Sequence, residues 1–165
     1  MLVPTVVPMT PNHWEAVRAI YEAGIATGRA TFETAAPDWN TWDHHHRQDC
    51  RLVAVRGDQV IGWAALTPVS SRQVYCGVAE LSVYVAPDAR RQGVGRMLLS
   101  EMVTCSEANG VWMLQATVFP ENEASLFLHQ AVGFRVVGRR EHIACLHGQW
   151  RDTLLLERRS TVIGG

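Results

Sequence analysis

The sequence predicts a single α+β domain spanning residues 1–165. Three patterns support this class. The segment VAELSVYV at 78–85 alternates polar and apolar residues, as a half-buried strand does, and residues 94–108 repeat apolar side chains at helical spacing. Two apolar runs within 51–68 are divided by Gly57-Asp58, a pair typical of β-hairpins. Strands and helices therefore share one chain, and neither a linker nor an internal repeat separates them.

The elements are predicted in the order β-α-α-β-β-β-α-β-α-β-β. A strand at 2–8 comes first, and Thr10 or Asn12 caps a helix that extends to about residue 23. A loop rich in glycine and threonine follows, and Pro37 opens a short second helix. Asn109-Gly110 ends the helix at 94–108. The remaining elements are a strand at 111–119, a helix at 122–132 and two terminal strands around 134–143 and 150–157.

Composition and charge exclude several classes of protein. The chain has 15 Lys and Arg against 16 Asp and Glu, so it lacks the broad basic surface that holds nucleic acid or an anionic membrane. Its longest apolar stretches are strand-sized, and the segment MLVPTVVPMT does not have the pattern of a signal peptide. The four cysteines form no CxxC pair and are predicted to be separate, reduced thiols. These features predict a cytoplasmic protein without nucleic-acid or membrane partners.

The segment APDARRQGVGRMLL at 86–99 follows a predicted strand and opens a helix. Gly93 and Gly95 lack a Cβ atom, so a ligand can approach the backbone closely there. A helix that begins near Val94 presents unpaired N–H groups and the positive end of its dipole. The segment also carries positive charge, at Arg90, Arg91 and Arg96. Together these features predict a pyrophosphate-binding site.

Other phosphate-binding motifs do not fit this segment. No Gly-Lys-Ser/Thr follows, as a Walker loop requires, and Leu98 stands where the third glycine of a dinucleotide fingerprint belongs. A surface turn with solvated arginines is the alternative interpretation of the segment taken alone.

The motif Arg90-Arg91-Gln92-Gly93-Val94-Gly95 resembles the R/Q-x-x-G-x-G/A loop of the GNAT acyltransferase superfamily, which cradles the CoA pyrophosphate. The resemblance implies a GNAT-like fold: a central mixed, mostly antiparallel sheet of about seven strands flanked by about four helices. Within the superfamily the chain resembles the phosphinothricin and methionine sulfoximine N-acetyltransferases. The segments that carry this likeness are Thr31-Phe32-Glu33, Ala79-Glu80, Asn122-Glu123-Ala124-Ser125, His129, Gly133-Phe134 and Gly148-x-Trp150-x-Asp152.

The resemblance implies an acetyl-CoA-dependent N-acetyltransferase that acts on the amino group of a small, amino-acid-like acceptor by direct transfer. Such a reaction needs a base for the ammonium group and an acid for the departing thiolate. Glu80 lies in an otherwise apolar strand, where partial burial would make its carboxylate a stronger base. The resembling enzymes have their catalytic glutamate at this position. His129 stands where many GNAT enzymes have an acidic tyrosine, and a histidine titrates near neutral pH. A solvated strand glutamate and a helix-terminal histidine are the structural alternatives.

The resemblance also assigns the binding residues. Acetyl-CoA would contact the catalytic strand, the glycine-rich loop and the start of the last helix, through Val83, Tyr84, Val85, Arg90, Arg91, Gln92, Gly93, Val94, Gly95, Arg96, Asn122 and Ser125. The acceptor would contact Phe32, Glu33, Arg72, Tyr75 and Ser82. Two positions depart from the family, because Ser70 replaces an arginine and Leu146 replaces a lysine. These departures leave the physiological acceptor open.

No metal is expected. The run His44-His45-His46 lies in a predicted helix, where consecutive side chains point about 100° apart and do not converge on one ion. The resembling enzymes are usually dimers, so a homodimer is expected by analogy. Two alternative functions remain: acetylation of a protein N-terminus or lysine, and a non-catalytic acyl-CoA-binding sensor domain.

Overall fold

The computed structural model describes residues 2–165. Within this range the strands are β1 (Thr5–Pro8), β2 (Leu52–Arg56), β3 (Gln59–Pro68), β4 (Val78–Val85), β5 (Met113–Val118), β6 (Arg135–Leu146) and β7 (Gln149–Arg159). The α-helices are α1 (Trp14–Ala26), α2 (Trp39–His45), α3 (Val94–Ala108) and α4 (Glu123–Ala131). The predicted order of elements and the expected numbers of strands and helices are confirmed.

All seven strands belong to one sheet, in the order β1-β2-β3-β4-β5-β7-β6. The pair β4–β5 is parallel and every other neighbouring pair is antiparallel, which confirms the mixed, mostly antiparallel sheet. Because β4 and β5 run in the same direction, a crossover must join them, and α3 forms this connection.

The helices cover both faces of the sheet. Consecutive residues of a strand point to opposite faces. Gly62 of β3 lies against Leu98 of α3, where an added Cβ would be 3.0 Å from the leucine Cδ1. The next residue, Trp63, packs against Tyr21 of α1 and Trp42 of α2, with ring centroids 5.5 and 5.7 Å apart. The buried core therefore has one layer under α3 and an aromatic layer under α1 and α2.

Arg51 completes the C-terminal end of α2. Its guanidinium donates to the carbonyl oxygens of Asp43, His46 and Arg47 at 2.6–3.0 Å, and to the Asp43 carboxylate at 2.6 Å. It also lies 5.1 Å from the ring centroid of Trp42. Because the last carbonyls of a helix have no partners within it, this one side chain stabilises the end of α2.

The terminal hairpin extends further than the sequence predicts. Strands β6 and β7 reach Leu146 and Gln149, so only His147 and Gly148 form the turn. Both turn residues have positive φ, 50° and 80°, as a type I′ turn requires. The signal was present in the His-Gly pair, which serves here as Asn-Gly does in other hairpins. At the other end of the chain, β1 begins at Thr5 rather than at residue 2.

The prediction of four separate thiols is wrong for one pair. Cys50 and Cys105 form a disulfide between the segment before β2 and helix α3, with their Cα atoms 5.7 Å apart. They are 55 residues apart in the sequence, so only the fold brings them together. Cys76 and Cys145 are free and exposed. Among residues 2–165, no helix is long and apolar enough to span a bilayer.

Candidate active site

The centre of the sheet separates where β4 and β5 diverge. Their ladder pairs residues 78–80 with residues 113–115 and stops at Glu80–Gln115. Beyond this point β4 pairs only with β3, in a register without shifts, and β5 pairs only with β7. Backbone groups of β4 that face the gap therefore have no ladder partner on that side, and such groups need a ligand or water.

The gap between the two strands forms a cavity of about 260 Å³. Residues 80–84 line one wall and residues 116–119 line the other. Helix α4, strand β7 and the loop after α1 close the cavity. The residues they contribute are Asn122, Ser125, His129, Thr153, Ala30, Thr31 and Phe32.

The Glu80 carboxylate lies at the point of divergence. Its side chain is half-buried and lines the cavity. Gln115 Nε2 of β5 donates a hydrogen bond to Glu80 Oε2 at 3.4 Å. An ionised carboxylate accepts about four hydrogen bonds, so this one bond leaves most of the lone pairs of Glu80 available to a ligand or water.

His129 faces the same cavity from α4. It is 2% exposed, and its Nδ1 lies 2.7 Å from the carbonyl oxygen of Ser125. A carbonyl only accepts, so Nδ1 carries the hydrogen and Nε2 has the lone pair. Phe134 packs edge-on against the imidazole, at 5.1 Å between ring centroids. Burial lowers the pKa of His129 below its usual value, so the imidazole is neutral at physiological pH.

Tyr84, which lines the cavity, and Tyr21, which packs against it, both remain protonated. Tyr84 packs between Tyr21 and Trp63, with ring centroids 4.9 and 5.0 Å away. Burial raises the pKa of Tyr84 well above its usual value and that of Tyr21 to about 12, and the Glu33 carboxylate contributes to both shifts. Neither phenol is therefore a base near neutral pH, which leaves Glu80 and His129 as the proton acceptors of the cavity.

The glycine-rich loop ends at the start of α3. Gly93 is the N-cap residue with φ of 82°, and no side chain caps the helix. The first bond of the helix runs from Met97 N–H to the Gly93 carbonyl, so the N–H groups of residues 94–96 precede it. A Cβ built on Gly93 meets no atom within 4 Å. The loop thus has open space next to free N–H groups, as an anion site requires.

Two residues of this loop have structural contacts that the sequence does not reveal. A Cβ on Gly95 would lie 2.8 Å from Leu128, so this glycine allows α3 to pack closely against α4. Gln92 accepts a hydrogen bond from Arg56 at 2.7 Å and donates to the Asp88 carbonyl at 3.0 Å. Both residues hold the loop in position.

The three arginines around the loop are available to an anion. Arg90 Nε makes a long bond of 3.4 Å to the Val85 carbonyl. In the part of the chain from residue 2 onward, no ion pair includes Arg90, Arg91 or Arg96. Three unpaired cations, a helix N-terminus and an open glycine together fit a pyrophosphate.

Asn122 connects the cavity wall to the loop after α1. Its Oδ1 accepts from Ser125 N–H at 3.2 Å, as an N-cap does, and its Nδ2 donates to the Arg29 carbonyl at 3.2 Å. Asn122 is thus the N-cap residue of α4. Asn122 and Ser125 both line the cavity, so ligand contact and capping are compatible.

The five predicted acceptor residues separate into two groups. Phe32 and Ser82 line the cavity, and Phe32 packs edge-on against Phe119 at 4.9 Å. The other three are exposed and do not line it: Glu33, Arg72 and Tyr75. The Arg72 guanidinium lies 5.5 Å from the Tyr75 ring centroid, on the loop before β4. The structure thus places two of the five at the cavity.

Among the residues that sequence reasoning missed, one bonds to Glu80 and one lines the cavity. Gln115 is the hydrogen-bond partner of Glu80, and Thr153 of β7 contributes a buried hydroxyl. Gln115 could have been found from its place in an otherwise apolar strand. Thr153 could not have been predicted, because the sequence of a terminal strand does not show which of its two faces lines the cavity.

No metal centre appears in the described part of the chain. Across residues 2–165, no three His, Cys, Asp or Glu side chains converge as a metal site would require. His46 instead packs on Trp42, with ring centroids 4.0 Å apart, and contacts the Trp42 carbonyl at 2.7 Å.

Known proteins are similar to this chain in sequence. Residues 14–134 match the model of the acetyltransferase (GNAT) family. The chain is 38% identical over 153 residues to phosphinothricin N-acetyltransferase of Alcaligenes faecalis, across 87% of this chain and 76% of the relative. It is 29% identical over 147 residues to the L-methionine sulfoximine/L-methionine sulfone acetyltransferase of Pseudomonas aeruginosa, across 86% of each chain.

A solved structure has the same fold. The crystal structure of a GNAT superfamily phosphinothricin acetyltransferase from Sinorhizobium meliloti in complex with acetyl-CoA superposes with a TM-score of 0.85. That protein is 28% identical to this chain, and the match covers 94% of this chain and 88% of the other.

Proposed function

Because the chain belongs to the GNAT acetyltransferase family, we propose that it transfers the acetyl group of acetyl-CoA to the amino group of a small, amino-acid-like acceptor. The phosphinothricin and methionine sulfoximine acetyltransferases to which it is similar support this acceptor class. The observation that carries the proposal is the meeting of Glu80 and His129 at one cavity, where β4 and β5 diverge.

The glycine-rich loop would bind the CoA pyrophosphate. The N–H groups at the start of α3 and the guanidinium groups of Arg90, Arg91 and Arg96 would bind its oxygens. The pantetheine arm would then extend into the gap between β4 and β5. There the backbone of residues 83–85 would donate to the thioester oxygen and stabilise the negative charge that develops on it.

Glu80 would remove the proton from the acceptor ammonium, directly or through one water molecule. The amine attacks the thioester carbon only as the free base, which at neutral pH is a minor species of an amino group. A carboxylate at the mouth of the gap is placed to accept this proton.

His129 would protonate the departing thiolate after first receiving a proton. In the resting state its Nε2 has the lone pair, so His129 begins as an acceptor. The attacking nitrogen loses a second proton as the C–N bond forms. If Nε2 takes this proton, it returns it to the sulfur when the C–S bond breaks, and the imidazole is neutral again at the end of the cycle.

The acceptor would lie beside Phe32 and Ser82. Among the described residues that line the cavity, none is a lysine or an arginine. Arg72 and Tyr75 lie on the exposed loop outside it, and Ser70 and Leu146 replace two cations of the family pattern. An acceptor with little negative charge fits this lining better than a doubly charged one.

Release of free thiol from acetyl-CoA, measured across a panel of amines, tests the proposal. The panel contains phosphinothricin, methionine sulfoximine, methionine sulfone, the common amino acids, polyamines, a lysine peptide and a peptide with a free N-terminus. We expect rapid release with one of the small amino-acid analogues. Turnover only with the peptides would favour a protein acetyltransferase, and acetyl-CoA binding without any turnover would favour a sensor domain.

We also propose that the chain forms a homodimer through the β6–β7 hairpin. The hairpin exposes several apolar side chains: Val136, Val137, Ile143 and Trp150, of which Trp150 is 64% exposed. Phe127 of α4 adds a further exposed ring. Large apolar side chains left exposed on one hairpin are typical of a protein interface.

Replacing Trp150 with glutamate is expected to convert the dimer to a monomer, because a charge would be buried in an apolar contact. Sedimentation equilibrium gives the mass of each form. Val162→Glu is the control, since Val162 is also an exposed apolar residue but lies in the C-terminal tail. A wild-type protein that sediments as a monomer at micromolar concentration would refute the dimer.

A further inference from the structure

Two buried polar atoms at the inner wall of the cavity have no partner. Thr153 is 1% exposed and His129 is 2% exposed. Among the residues that the structure describes, neither the Thr153 hydroxyl nor His129 Nε2 has a hydrogen-bond partner. Both side chains line the same cavity, from β7 and α4. Buried polar groups in proteins are nearly always bonded, so these two atoms indicate a polar occupant of the cavity.

The hydrogen-bonding capacities of the two atoms are complementary. Nε2 only accepts, because Nδ1 carries the hydrogen that goes to the Ser125 carbonyl. The threonine hydroxyl donates and accepts. A water molecule that donates to Nε2 and accepts from Thr153 satisfies both, and buried waters of this kind have two to four polar partners.

The other buried polar side-chain atoms without a hydrogen-bond partner differ from this pair in chemistry and in position. Within residues 2–165 these are the indole N–H groups of Trp42 and Trp63. Both are donors, both belong to the aromatic layer, and neither residue lines the cavity. The complementary pair is therefore a feature of the cavity and not a general property of the core.

We propose that Thr153 and His129 together hold one water molecule, and that Thr153 is a positioning residue for proton transfer between the reacting groups and His129. This inference rests on the acetyl transfer proposed above. The water receives the proton that the attacking nitrogen loses and gives one of its own protons to Nε2. On the return path Nε2 gives a proton to the water, and the water gives one to the sulfur as the C–S bond breaks.

Thr153→Val tests the inference, because valine has the shape of threonine without the hydroxyl. We expect kcat to fall about tenfold while KM for acetyl-CoA and for the best amine of the panel stays within about twofold. Thr153→Ser retains the hydroxyl and should retain kcat within about twofold of wild type. Thr104→Val, on the exposed side of α3, is the control for the general effect of the replacement.

A crystal structure of the wild-type protein provides the direct measurement. We expect one ordered water within about 3.2 Å of both Thr153 Oγ1 and His129 Nε2, and its loss in Thr153→Val. A dry site, or a valine variant with unchanged kcat, would overturn the inference. A serine variant as slow as the valine variant would also overturn it, since packing would then be the cause. If the wild-type protein turns over no amine, the proposed acetyl transfer is refuted. The crystal structure then tests only whether Thr153 and His129 bind a water molecule.

Discussion

Replacing Glu80 with glutamine is expected to lower kcat about 100-fold at neutral pH, because the variant has no base for the acceptor ammonium. Glutamine has the size of glutamate and keeps a side-chain oxygen for the bond from Gln115, so the fold should not change. Affinity for acetyl-CoA should remain, since Glu80 is five extended residues, or roughly 16 Å, from the end of β4 that leads to the glycine-rich loop. Steady-state kinetics and calorimetric titration measure the two effects separately.

The pH dependence gives a second and sharper measurement. As pH rises toward the pKa of the acceptor amine, the free base forms without help. The rate of Glu80→Gln should therefore approach that of wild type with increasing pH. Glu15→Gln, on the exposed side of α1, is the control. A variant with a wild-type rate across the whole range would remove Glu80 from its role as the base.

Replacing Gly93 with valine is expected to weaken acetyl-CoA binding at least about tenfold, equivalent to about 1.4 kcal/mol. The branched side chain would occupy the open space next to the free N–H groups of α3, where the pyrophosphate is proposed to bind. It would also strain the backbone, because φ of 82° is disfavoured for residues other than glycine. Titration with CoA, followed by calorimetry, measures the change in Kd.

The opposite end of the same helix offers a matched control. Gly110 has φ of 78°, and a Cβ there also meets no atom within 4 Å. Gly110→Val should cost a similar free energy of folding, of about 1–2 kcal/mol, yet leave the affinity for CoA unchanged. Equal losses of affinity in both variants would show that backbone strain is responsible and that the loop does not bind the pyrophosphate.

Local patterns account for most of the fold. The hairpin at Gly57-Asp58, the 78–85 strand and the 94–108 helix have the predicted bounds, because each depends on periodicity and on residues at its own ends. The glycine-rich loop was predictable for the same reason, since its glycines and arginines lie within seven consecutive residues. The family could be identified from the sequence because its motifs retain their order and spacing.

Long-range contacts decided what the sequence did not show. The Cys50–Cys105 pair and the contact of Gly95 with Leu128 join residues far apart in the chain, and no local pattern encodes them. The position of Arg72 relative to the cavity also depends on the fold. Arg72 was expected to contact the acceptor, but it lies on the exposed loop before β4 and does not line the cavity.

The sequence by itself determined the order of the elements, the glycine-rich loop at the start of α3, and the places of Glu80 and His129 on β4 and α4. Only the tertiary structure decided what surrounds these residues. The divergence of β4 from β5 creates the cavity, and the Ser125 carbonyl selects the tautomer of His129. Burial then lowers the pKa of His129 and leaves Nε2 and Thr153 without protein partners. Desolvation and hydrogen-bond geometry depend on atoms from several elements, and a linear pattern of residue types does not specify them.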